Sequence, residues 1–132
     1  DLNFKGILTT GEIGIAIPDI KKKLESAYGC RLYDYWAPCG NALGISCDSE
    51  EYQGIHAIAP DVCTSFDDLV DPVTKEPVDA DVDGAIGEMV HTNLHREACP
   101  VVKYAYGDIV QIFLKECPGC GFKGRRIKVL GR

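Results

Sequence analysis

Ala85-Ile86-Gly87-Glu88-Met89-Val90-His91-Thr92-Asn93-Leu94, followed after a short break by Val101-Val102-Lys103-Tyr104-Ala105-Tyr106 and Ile109-Val110-Gln111-Ile112-Phe113-Leu114, decides the fold. These runs are apolar and rich in β-branched and aromatic residues, and no segment of helical period separates them. Consecutive strands without crossover helices pair antiparallel, in a small barrel or a curled sheet. Outward from this stretch the same reading gives strands at Leu43–Cys47, Gly54–Ala59, Phe66–Asp71 and Arg126–Leu130, separated by turn-rich pieces such as Asp71-Pro72-Val73-Thr74-Lys75-Glu76-Pro77.

Toward the amino end the period changes. Phe4–Thr10 reads as a strand broken at Gly11. Ile17, Ile20, Leu24, Ala27 and Tyr28 fall at helical spacing, with Lys21, Lys22, Lys23 and Glu25 largely on the other face. Pro18 suits the first helical turn, Asp19 the positive end of the helix dipole, and Gly29 a left-handed stop. Arg31–Trp36 follows as a short aromatic strand. The expected fold is therefore α+β: a strand-helix-strand edge of an α/β layer over residues 1–40, then a mainly antiparallel, β-barrel-like subdomain over residues 41–132.

The 132 residues suffice for one ordinary core. The formal charge of −6 argues against a nucleic-acid partner, which Lys and Arg would have to attract; the basic cluster Lys123–Lys128 is short and interrupted. No apolar run approaches the ~20 residues of a membrane span. Seven cysteines cannot all pair, and a chain of this size needs no disulfide framework, so a reducing cytoplasm with free thiols or a metal site is expected. The first residues carry no initiator Met or signal-peptide layout, and the last stop inside an expected strand. We therefore expect a piece of a longer protein, whose exposed apolar strand edge favours self-association.

Cys117-Pro118-Gly119-Cys120 has the spacing of half a tetrahedral zinc site, and Cys47 and His56 on neighbouring expected strands are the candidates for the other half. The plain alternative is a buried small thiol, a strand histidine and an ordinary turn. A redox role for the pair lacks the following helix that would lower a thiol pKa. Asp79-Ala80-Asp81-Val82-Asp83-Gly84 imitates a calcium loop, but its twelfth position is Val90 instead of a bidentate Glu, so it reads as a solvated acidic turn. Gly119-x-Gly121-x-x-Gly124 has no helix after it to hold a pyrophosphate. Gly11-Glu12 and Tyr35 fall at the carboxyl edge of the α/β layer, where open sheets bind ligands. Asp108 follows a glycine between two apolar strands, and His91 and His95 read as structural or surface residues. No Gly-rich phosphate loop and no Ser/His/Asp arrangement can be argued.

Taken in order, several blocks resemble the phenylacetate–CoA ligase family of adenylate-forming enzymes. Thr10-Gly11-Glu12 before a helix is similar to that family's Gly/Ala-Glu adenine loop. Gly87-Glu88-Met89-Val90-x-Thr92-x-Leu94, then Pro100-Val101-Val102-Lys103-Tyr104-x-x-Gly107-Asp108, is similar to its Gly-Glu-Leu and Tyr-Arg-Thr-Gly-Asp motifs. Cys117-Pro118-Gly119-Cys120, then Arg126-Ile127-Lys128-x-x-Gly131-Arg132, resembles its Cys-rich turn and the strand leading to a hinge.

The resemblance implies an ATP-dependent reaction in which an aryl or acyl carboxylic acid forms an acyl-adenylate and CoA then displaces AMP. It implies that Asp108 accepts the ribose hydroxyls, Tyr35 stacks on adenine, Gly11 and Glu12 line the base, and Arg132 contacts ribose or phosphate. It also implies a structural zinc held by Cys47, His56, Cys117 and Cys120. The family's Tyr-Gly-x-Thr-Glu motif aligns with Tyr35-Trp36-Ala37-Pro38-Cys39, which puts Trp at the Gly and a thiol where a Glu would hold Mg²⁺; Ala105 and Tyr106 replace the Arg and Thr before Gly107-Asp108. The phosphate loop and the Lys-bearing lid would lie in the remainder of the parent chain. This piece is expected to have no ligase activity alone. The competing expectation is a zinc-stabilised structural or interaction module, or a degenerate homologue without nucleotide chemistry.

Overall fold

The computed structural model describes residues 3–11, 14–37, 44–57, 65–93 and 97–132, with the backbone alone at 65–67. Glu12, Cys39, Gly40, Leu43, Ala59, Leu94 and His95 lie outside them, and so does the expected boundary at position 40. Nine strands form one row: β1 (Gly6–Thr9), β2 (Arg31–Trp36), β3 (Gly44–Ser46), β4 (Ile55–Ala57), β5 (Ser65–Val70), β6 (Pro77–Val78), β7 (Ile86–Asn93), β8 (Val101–Phe113) and β9 (Arg126–Gly131). Their spatial order is β1-β2-β3-β4-β9-β8-β7-β5-β6. Among the described residues only β1 and β2 run parallel, joined through a 3-10 turn (Gly14–Ala16) and the helix α1 (Pro18–Tyr28); every other described pair is antiparallel. The class is α+β. Among the described residues no pairing joins β1 to β6, so the row is an open mixed sheet and the expected barrel is not closed.

Two local expectations are corrected. Val101–Tyr106 and Ile109–Leu114 are one strand, β8, and Gly107-Asp108 is a bulge inside it in place of a turn. Glu88 pairs with Ile109 and Val90 with Ala105, so β8 carries two extra residues between those pairs. Gly107 takes φ +89, a left-handed value that a side chain disfavours. Beyond the bulge, Asp108, Val110 and Ile112 are buried in alternation. The helix is corrected too. Ile17, Ile20 and Tyr28 are exposed, and the buried residue of α1 is Lys21, expected on the polar face. Its ammonium donates to the carbonyls of Ser49 (2.7 Å) and Glu50 (3.2 Å), which satisfies a buried charge with two polar acceptors. Gly29 ends the helix in the left-handed conformation, with its N–H on the Glu25 carbonyl.

The core is a cluster of Trp36, Ile55, Leu69, Met89, Val110, Ile112 and Ile127, supplied by β2, β4, β5, β7, β8 and β9. The acidic turn Asp79–Gly84 serves the sheet: Asp83 accepts the Leu114 N–H at 2.8 Å and pairs with Lys115 at 3.0 Å.

Candidate functional site

Two clusters of polar side chains draw on the segment between β3 and β4, which gives Cys47 and His56 to one and Tyr52 to the other. The first begins where β3 ends. Gly44 lets β3 approach β4 closely, since a Cβ there would stand 2.2 Å from the His56 carbonyl oxygen. That approach sets Cys47, just past β3, beside His56 on β4. The turn after β8 brings Cys117 and Cys120 to the same place, closed by Cys117 N–H to the Phe122 carbonyl (2.8 Å) and Gly121 N–H to the Cys117 carbonyl (2.9 Å). One donor atom from each of Cys47, His56, Cys117 and Cys120 lies within 4.8 Å of all the others. Cys120 Sγ is 3.9 Å from either ring nitrogen of His56, whose ring stacks on Phe122 at 4.6 Å.

The protonation tendencies of His56 and Cys117 suit a cation. Burial, with the Arg126 charge behind it, lowers the His56 pKa and keeps the imidazole neutral, as a metal ligand must be. Burial opposes a Cys117 thiolate, yet the N–H groups of Cys120 and Gly119 aimed at its sulfur, with the Cys120 and Cys47 thiols, together outweigh that, so its pKa is lowered. Cys47 is pushed up to about 11, first by burial and then by the neighbouring Cys117 and Cys120 sulfurs, a repulsion that a shared cation would relieve. Three thiols and an imidazole form a soft N/S set that suits zinc. A tetrahedral ion with Zn–S near 2.3 Å would hold its ligand atoms roughly 3.5–3.8 Å apart, a small contraction of the spacing seen. Arg126 braces both halves: it donates to the Gln53 carbonyl (2.8 Å) and the Lys115 carbonyl (3.3 Å) and lies over the Phe113 ring.

The second cluster lines an open pocket of about 640 Å³, within the size range of small-molecule sites. Gly11 after β1, Tyr35 on β2, Asp108 at the β8 bulge and Arg132 after β9 all face it. Four separated segments thus contribute four of the residues singled out in the sequence; the fifth, Glu12, lies outside the described residues. Asp108 is buried. Its Oδ1 accepts from Arg132 Nε at 2.8 Å and its Oδ2 from the Trp36 indole N–H at 3.2 Å. Trp36 also packs edge-on to Tyr106, 6.0 Å between centroids. Asp34 and Tyr52 line the same pocket and were not anticipated. The Tyr52 hydroxyl donates to Asp34 Oδ2 at 2.7 Å, and the Asp34 backbone N–H donates to Ser46 Oγ at 2.9 Å. Burial raises the Asp34 pKa against the Tyr52 and Tyr35 hydrogen bonds, and raises that of Tyr52 further with the help of the Asp34 charge. The available signal was the alternation of β2, which puts Asp34 on the buried face with Leu32 and Trp36.

No family model matches the chain. The phenylacetate-coenzyme A ligase of Pseudomonas putida is 38% identical over 68 residues, 51% of this chain and 14% of that protein. An open conformation of 2-hydroxyisobutyryl-CoA ligase, solved with 2-HIB-AMP and CoA, superposes on 97% of the chain with a TM-score of 0.76 and 25% identity. The chain is a relative of the acyl-CoA ligases. The same ligase in its postadenylation state with 2-HIB-AMP matches equally well. The chain spans 29% and 26% of those two ligase chains, so it corresponds to a part of an acyl-CoA ligase. No helix among the described residues is long and apolar enough to cross a membrane.

Proposed function

We propose that the chain supplies part of the adenylate site of an ATP-dependent, AMP-forming acyl- or aryl-CoA ligase and carries a structural zinc, with no ligase activity by itself. The observation that carries this is the convergence of Gly11, Tyr35, Asp108 and Arg132 on one pocket, in a chain that follows the fold of a ligase solved with an acyl-adenylate. An ionised carboxylate has about four acceptor positions, so Asp108 can receive ribose hydroxyls beside Arg132 once the Trp36 indole moves aside. Tyr35 stacks on the base, Gly11 and Glu12 border it, and Arg132 reaches ribose or phosphate. Residues 1–40 act as the edge of the nucleotide-binding layer and 41–132 as the antiparallel subdomain. The exposed Leu8, Ile17, Ile20 and Tyr28 beside β1 cover against the remainder of a longer chain, or self-associate without it. The acid, CoA and Mg²⁺ sites fall largely in that remainder, and a reducing cytoplasm suits the free thiols.

Cys47, His56, Cys117 and Cys120 hold the zinc, which ties the β3–β4 loop to the turn after β8 and takes no part in the reaction. A second reading, a degenerate homologue or a zinc-stabilised interaction module, is favoured by one observation: both oxygens of Asp108 already accept hydrogen bonds from this chain's own Trp36 and Arg132. Calorimetry with AMP separates the two. Binding in the millimolar range or tighter, weakened at least tenfold by Asp108→Asn, is expected of the ligase part. Heat-silent titration of the chain joined to its remainder favours the module. Pyrophosphate release from ATP and aryl acids by this chain alone would contradict its proposed inactivity.

A further inference from the structure

The segment between β3 and β4 belongs to both clusters, and its own backbone does little to hold it. Residues 48–53 lie in no strand or helix, and among the described residues they make no backbone–backbone hydrogen bond. Side chains from elsewhere do the holding. Lys21 Nζ donates to the carbonyls of Ser49 (2.7 Å) and Glu50 (3.2 Å), and Arg126 donates to the Gln53 carbonyl at 2.8 Å. The Cys117 turn lies directly on the segment: a Cβ at Gly119 would stand 2.6 Å from both Cβ and Oγ of Ser49 and 3.1 Å from Cγ of Gln53. At the two ends stand Cys47 and His56, two of the four donors of the cluster. In the middle, Tyr52 crosses to the pocket, lines its wall and donates its hydroxyl to Asp34 Oδ2 at 2.7 Å. A stretch without a ladder stays ordered only while its clamps hold, because every residue fixed costs backbone entropy. A metal at the cluster would pin both ends of the segment and the turn it rests on.

We infer that Tyr52 is a positioning residue of the nucleotide pocket and that the metal holds it there: zinc on Cys47, His56, Cys117 and Cys120 fixes the segment, and the fixed segment keeps Tyr52 in the pocket wall. Occupancy of the two sites is then coupled, and the coupling is reciprocal. A nucleotide that packs against Tyr52 meets a wall whose order the metal has already supplied, so it binds more tightly; nucleotide in the pocket tightens the hold on zinc by the same factor. The metal stays outside the chemistry. It acts as a condition on the pocket, and a chain without it binds nucleotide weakly even with Asp108 and Arg132 intact. Lys21 and Arg126 keep their grip when the metal leaves, so the segment loosens between its clamps and the sheet stays. The link between metal and Tyr52 rests on the zinc reading above, and its consequence for AMP rests on the ligase reading.

The test measures zinc affinity by competition with a chromophoric chelator, and AMP affinity by calorimetry on the zinc-loaded and the chelated chain. Tyr52→Phe removes one hydroxyl and no donor of the cluster, yet it is expected to weaken zinc about threefold through the lost tether. AMP should bind the zinc-loaded chain at least about fivefold more tightly than the chelated one. Tyr52→Phe should erase most of that gain and leave the chelated chain's affinity unchanged; a merely structural role would lower both alike. Gly119→Ala keeps all four donors but forces the turn off Ser49, so it should weaken AMP binding to the zinc-loaded chain about threefold. That arm removes no metal, and it decides the matter if circular dichroism finds the chelated chain unfolded. Zinc affinity indifferent to Tyr52→Phe, together with AMP affinity indifferent to zinc or to Gly119→Ala, overturns the coupling alone. AMP silence in every state, with zinc still weakened by Tyr52→Phe, sinks the ligase reading alone. A chain that takes up no zinc sinks the metal reading and the coupling with it.

Discussion

The cysteine–histidine cluster and the pocket differ in how completely this chain builds them. All four donors of the cluster come from one hairpin and one turn, and the lowered pKa values of His56 and Cys117 already favour a bound cation. The pocket draws on β1, β2, the β3–β4 loop, the β8 bulge and the end of β9, and its carboxylates are satisfied provisionally by Trp36, Arg132 and Tyr52. A structural clasp must be whole to hold. A ligand site can remain unfinished, because the ligand supplies the last partners.

The sharpest way to break the contrast is to remove the clasp. Chelation, or Cys117→Ser, is expected to destabilise the chain by about 3–5 kcal/mol, since metal-binding free energy is folding free energy. Differential scanning calorimetry with and without chelator measures it. Cys99→Ser, at an exposed thiol, should change stability by less than about 0.5 kcal/mol. Elemental analysis of protein purified without chelators should give about one zinc per chain, and a metal-free chain of unchanged melting temperature would remove the clasp from the account. Next in size is Arg126→Ala, which strips two carbonyls of their donor and should cost about 2 kcal/mol in chemical denaturation while lowering zinc affinity.

On the pocket side the effects are smaller. Trp36→Phe keeps a ring in the core but deletes the donor to Asp108, so it should lower stability by about 1 kcal/mol and tighten AMP binding. A smaller effect, of opposite sign, is expected at Asp34. Its folded-state pKa is raised, so at neutral pH ionisation costs the fold; as pH falls through that raised value the folded chain takes up the proton first and the cost is relieved. Asp34→Asn should therefore raise the melting temperature at pH 7 by a few degrees, roughly what under 1 kcal/mol gives in a domain of this size, and the gain should shrink on acidification. Asp83 behaves the other way. The Leu114 N–H and Lys115 lower its pKa, so its contribution is present above the ordinary carboxylate range and lost as pH falls through the lowered value; Asp83→Asn should flatten stability below about pH 4. Thermal melts across pH 3–7 read both variants.

The strands of the antiparallel part were legible because apolar, β-branched runs bounded by turn residues leave little choice. The Cys117 turn was legible from its spacing alone, and Cys47 and His56 from their place on neighbouring strands. Gly107-Asp108 misled because a glycine and an acid between apolar runs signal a turn; only the opposing register of β7 shows that the chain bulges and runs on. The helix misled because its period describes a face without saying what covers it, and Lys21 is buried by a loop some thirty residues away. Asp34 and Tyr52 could not be paired from sequence, since their contact depends on the β2–β3–β4 pairings folding the loop back over the strand.

With one tryptophan, an amide-correlation NMR spectrum of the chain contains a single indole N–H peak, and that proton is the one donated to Asp108. If Asp108 is the ribose-binding carboxylate, adding AMP will shift this peak toward its position in the Asp108→Asn variant, in proportion to occupancy. A peak that stays fixed while AMP binds elsewhere, or that moves identically in the variant, would contradict the account.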